Sequence, residues 1–89
     1  MIDITVKYFL NTAGKMVFQR WFDEVASLSR QQDGFISISS EFDEFNNPLV
    51  HLKFENEDKL NIWAGSKPHD KLVLEIEKYF IKPQEVFVS

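Results

Sequence analysis

Hydrophobic residues recur along this chain with a spacing that switches between two and about 3.6, and the order of the switches constrains the fold more than any other feature. Ile2, Ile4, Val6, Tyr8 and Leu10 alternate with Asp3, Thr5, Lys7 and Phe9, the pattern of a half-buried strand. After the break at Asn11-Thr12-Ala13-Gly14 the spacing becomes helical from Lys15: Phe18, Trp21, Phe22, Val25 and Leu28 share one face. Asp33-Gly34 supplies the stop, so the helix is expected to end near Gln32. Alternation returns from Phe35 to Phe42, with Ile36, Ile38 and Phe42 on one face and Phe35 on the other. Asn46-Asn47-Pro48 marks a hairpin loop over Asp43 to Pro48, and a third strand runs from Leu49 to Glu55.

Asn56 reads as the N-cap of a short helix with Leu60, Trp63 and Ala64 inward. Gly65-Ser66-Lys67-Pro68 then kinks the chain, because proline suits the first turn of a new helix. That helix carries Leu72, Val73, Ile76, Tyr79 and Phe80 on one side; Lys82-Pro83 ends it, and a last strand covers Gln84 to Ser89. The order β-α-β-β-α-α-β is that of an α+β, ferredoxin-like split βαβ fold in a single domain, residues 1–89. A four-stranded antiparallel sheet with helices on one face is expected.

Composition enters through the aromatics: nine Phe, two Trp and two Tyr in 89 residues. A core this small cannot hide so many rings easily, so some should line a pocket or a subunit contact. Phe9, Phe35, Leu49, His51 and Phe87 are expected on the sheet face away from the helices, where a second copy would cover them. On the helix side, Trp63 and His69 are expected to converge with Tyr8, Trp21 and Phe22 on an apolar, aromatic-walled pocket. His69 would stay neutral near a helix N-terminus and so is the candidate base.

Other classes are disfavoured. With no cysteine and two histidines on different elements, no metal site or thiol chemistry is expected. A net charge of −4 argues against nucleic acid as a partner. No stretch reaches a membrane span or looks like a signal peptide, so a cytoplasmic location is the expectation.

The runs Phe18…Trp21-Phe22…Leu28…Asp33-Gly34-Phe35, Val50-His51-Leu52-Lys53-Phe54 and Leu60-x-x-Trp63-x-x-Ser66-x-x-His69-x-x-Leu72 resemble the antibiotic biosynthesis monooxygenase domain family, across residues 2 to 88. The resemblance implies a dimeric α+β barrel, a homodimer with its two sheets face to face. It also implies an aromatic substrate held between helices and sheet, and oxidation of quinols or phenols by molecular oxygen without metal or flavin. Other members degrade haem with an Asn on the first strand, a Trp on the second helix and a His on the third. Here Trp63 matches, but Val6, Lys7 and Tyr8 stand where the Asn belongs, and the ligand position falls near Val73. Haem chemistry is therefore not expected. The function expected is a cofactor-independent monooxygenase of a small aromatic or quinol-like molecule. The alternative is a non-catalytic dimeric module of the same fold that binds a small molecule.

Overall fold

The computed structural model covers residues 1–89. Its elements are β1 (Ile2–Leu10), α1 (Thr12–Ser29), β2 (Phe35–Phe42), β3 (Pro48–Phe54), α2 (Glu57–Ala64), α3 (Lys67–Glu77) and β4 (Phe80–Val88), the order read from the periodicity. The strands form one antiparallel sheet, β2-β3-β1-β4. No helix is long and apolar enough to cross a membrane.

Capping sets the helix starts. Asn11 Oδ1 accepts from the Gly14 amide at 2.8 Å, which lets α1 begin three residues before Lys15. Asn56 caps α2 through the Lys59 amide at 2.9 Å, and Ser66 caps α3 with Pro68 in its first turn. Gly34, at φ +85°, makes the reversal into β2 that a side chain would resist.

Two irregularities overturn details of the alternation. Phe35 pairs with Phe54 and Ser37 with Lys53, so Ile36 is an extra residue in β2. The bulge turns Phe35 to the helix side, where it meets Phe54 edge-on at 6.1 Å, and leaves Ile36 exposed. Phe35 is thus a helix-side residue and does not belong to the outer face. The second irregularity lies in β4. The register against β1 slips between Lys7↔Glu85 and Phe9↔Lys82, and again before Leu10↔Phe80. Pro83 therefore sits inside an edge strand at an irregularity, where its missing N–H breaks no ladder bond. Hence α3 stops at Glu77 and the strand starts at Phe80, four residues before Gln84.

Phe9 keeps its place on the outer face but is not bare. The Lys82 ammonium lies 4.0 Å from its ring centroid and that of Lys7 5.4 Å, so the chain's own lysine stems cover it. Leu49 and His51 are half-buried there, and Phe87 is 52% exposed.

The helix-side core is in two parts. One gathers Tyr8, Leu10, Phe18, Trp21, Phe22 and Val50 with Ile76; the other gathers Leu52, Phe54, Leu60, Trp63 and Leu72. Each fully buried Phe or Leu contributes about 1.5–3 kcal/mol. Val25 and Ile38, only partly buried, touch both parts. The seam between the two clusters is where the packing is incomplete.

Candidate active site

A cavity of about 240 Å³ occupies that seam. Its floor is the sheet: Ile4, Val6 and Tyr8 from β1, Ile38 from β2, Val50 and Leu52 from β3. Its roof is Val25 of α1, Leu60, Trp63 and Ala64 of α2, and His69 of α3. Asn61, Ala64, Gln84 and Val86 also line it and are exposed, so they mark the mouth, between α2 and the edge strand β4. The lining includes no Lys, Arg, Asp or Glu.

Sequence spacing accounts for the way these groups meet. Trp63 is two residues before the Gly65 that ends α2, and His69 is in the first turn of α3, so the kink between the helices folds one ring against the other. The rings meet edge-on, centroids 5.3 Å apart and planes at 79°. Ser66 holds the kink from both sides. Its hydroxyl donates to the Trp63 carbonyl at 2.7 Å and accepts from the His69 amide at 3.4 Å.

Burial sets the charge of both titratable groups. The His69 pKa lies below its ordinary 6.5, chiefly because burial penalises the imidazolium; Asp70 and the Ala64 carbonyl oppose this less strongly. Its Nδ1 is buried without a hydrogen-bond partner. The Tyr8 phenol, desolvated by burial, is held well above the usual phenol range and stays protonated. Its ring is locked by Trp21 edge-on at 5.4 Å and by Phe18 and Phe80, each at 6.1 Å. The cavity therefore presents an apolar wall with a neutral imidazole, a neutral phenol and an indole in it.

Tyr8, Trp63 and His69, three of the five residues expected at a pocket, line one cavity. Trp21 and Phe22 do not. The Trp21 Nε1–H donates to the Leu72 carbonyl at 2.8 Å, pinning α1 to α3, and Phe22 stacks on Phe18 at 6.1 Å in the first core cluster. Phe22 packs into the core beside the cavity, and Trp21 borders a separate surface cleft between α1 and α3, with Val17, Ile76 and Tyr79.

No family profile matches this sequence, and no curated protein matches it either. Solved structures do match. An antibiotic biosynthesis monooxygenase superposes with a TM-score of 0.89 at 13% identity, covering 100% of this chain and 96% of that one. Rv0793 from Mycobacterium tuberculosis gives 0.88 at 12% identity, with 99% and 91% covered. A variant of SnoaB, a cofactor-independent oxygenase from Streptomyces nogalater, gives 0.83 at 11% identity, with 99% and 91% covered. This chain has the antibiotic biosynthesis monooxygenase-like fold. At such identities the likeness is one of fold, and the chemistry must come from the residues in the cavity.

On this monooxygenase-like scaffold two functional candidates stand outside the five residues expected at the pocket. Asn61 and Gln84 bring side-chain amides to the mouth. Asn61 lies three residues before Ala64, on the flank of the α2 stripe, a position helical spacing does reveal. Gln84 reaches the mouth because Glu85, its neighbour, pairs opposite Lys7 on the outer face, which turns Gln84 inward. Period-two alternation puts Gln84 on the same face as Val86, so this position too is legible in the strand.

Proposed function

We propose that this chain is a cofactor-independent monooxygenase acting on a small, uncharged aromatic molecule of the hydroquinone type, with His69 as the base. The observation that carries the reading is a cavity whose ionisable side chains are His69, kept neutral by burial, and Tyr8, kept protonated. A dry apolar void of about 150 Å³ accommodates benzene. At about 240 Å³ this one takes a single substituted ring with oxygen beside it. The uncharged lining favours a neutral ligand over a carboxylate.

The chemistry asked of the protein is modest. An imidazole nitrogen of His69 accepts a hydroxyl proton, and the resulting electron-rich phenolate reduces molecular oxygen itself. One oxygen atom joins a ring carbon, and the other leaves as water with two hydrogens. Benzene-1,4-diol plus oxygen thus gives hydroxybenzoquinone plus water. Tyr8 and Trp63 supply hydrogen-bond donors and orient the ring, and the apolar walls keep bulk water away. The likeness in fold to SnoaB, a cofactor-independent oxygenase, supports the same reading.

The test is oxygen uptake with 2-methylhydroquinone, using protein freed of metal and flavin. Saturable turnover is expected, with one labelled oxygen atom per quinone and a fall of about 10²–10⁴-fold in His69→Ala. A rate equal to that of buffer overturns the oxygenase reading. Saturable binding at the buffer rate would establish the alternative, a binding module. That alternative draws on the buried Nδ1, whose want of a hydrogen-bond partner leaves the imidazole less firmly oriented than a base needs.

We also propose a homodimer. The outer face offers Leu49 and the exposed Phe87 beside two ion pairs, Lys53 with Asp3 at 3.7 Å and Lys7 with Asp43 at 2.9 Å, and His51 lies 3.5 Å from Glu41. His51 also bonds Thr5 at 2.9 Å. Large apolar groups between paired charges lose less on desolvation than they would among free ones, which suits a second copy.

A further inference from the structure

A groove adjoins the cavity and is larger than it, about 490 Å³. Val73 of α3 forms one wall, and Phe80, Ile81, Pro83 and Gln84 of β4 form the other. Gln84 belongs to the cavity and to the groove, so the two spaces meet at that side chain. The groove runs where α3, ending at Glu77, gives way to β4, whose register against β1 slips around Pro83. It leaves Ile81 68% exposed and Val86, beside the mouth, 52% exposed. A trough with Val73, Phe80, Ile81 and Pro83 on its walls, leading out of a substrate-sized cavity, suits an apolar occupant.

We infer that the substrate carries an apolar chain: an alkyl- or prenyl-substituted hydroquinone, its ring in the cavity and its chain running past Gln84 along the α3–β4 groove. The inference rests on the reading of the cavity as a hydroquinone site and adds the substituent. A single ring fills the cavity, so anything longer must leave by the mouth, and the groove begins there. From Gln84 back to Phe80 the strand spans about 13 Å at ~3.3 Å per residue. Glu77 and Lys82 also border the groove, with opposite charges.

Calorimetry under nitrogen with 2-methyl-, 2-butyl- and 2-hexylhydroquinone tests this. A half-covered methylene tightens binding about twofold, so the hexyl compound is expected to bind about 30-fold tighter than the methyl one. Ile81→Asp, at an exposed position, is expected to remove at least tenfold of affinity for the hexyl compound and none for the methyl one. Leu74→Asp, on the exposed side of α3 and outside the groove, should alter neither. If methylhydroquinone binds and chain length has no effect, this inference falls while the cavity reading stands. If none of the three binds, both fall. If Ile81→Asp instead halves the mass seen by light scattering, the groove seats a second copy and the inference is overturned.

Discussion

His69 meets Trp63 edge-on across the α2–α3 kink, with ring centroids 5.3 Å apart. The contact desolvates the imidazole from one side, and this burial moves its proton equilibrium.

Since the folded His69 pKa is below the ordinary 6.5, the unfolded chain takes up this proton first as pH falls. The stabilising contribution is full above 6.5 and is lost as pH drops toward the folded value. Thermal melts from pH 7.5 to 5 should therefore show His69→Gln losing less stability on acidification than the parent protein. In the parent, kcat/KM for methylhydroquinone should have an acid limb with its midpoint below 6.5. An unchanged pH dependence in the variant would show that the ring is not desolvated.

Trp21 separates packing from binding. Trp21→Phe removes the donor to the Leu72 carbonyl in a buried setting and is expected to cost about 1–3 kcal/mol in a denaturant titration. Methylhydroquinone affinity should stay within twofold. A loss of affinity above tenfold would place Trp21 at the site.

Asp43 locks the β2–β3 hairpin. Its carboxylate accepts from the amides of Asn47 at 2.8 Å and Phe45 at 2.9 Å, and pairs with Lys7 at 2.9 Å. The Asn47 amide first, then Lys7, lower its pKa from 3.8 to about 2. The stabilisation is present above 3.8 and disappears as pH falls to about 2. Asp43→Asn should be less stable than the parent at pH 6, with the gap closing between pH 4 and 2. A gap that does not vary with pH would show the carboxylate charge to be immaterial.

Phe87 tests assembly. Sedimentation of the parent at micromolar concentration should give twice the chain mass, and Phe87→Glu should shift it toward the monomer without altering the far-ultraviolet circular dichroism. A monomeric parent protein would defeat the face-to-face arrangement.

The periodicity determined the number, type and order of the elements, and with them the monooxygenase-like fold, because the spacing of apolar residues is a local property of each segment. It also brought Tyr8, Trp63 and His69 to the helix–sheet layer. Tertiary structure decided the rest. The extra residue at Ile36 moved Phe35 to the opposite side of the sheet, since one residue of slip reverses every side chain beyond it. Whether thirteen rings pack solid or leave a space is equally beyond local spacing. Trp21 and Phe22 share the helical stripe that could have faced a ligand, yet they fill the first core cluster. The cavity opens only where that cluster and the one around Trp63 fail to close on each other, a matter of shape that no single segment encodes.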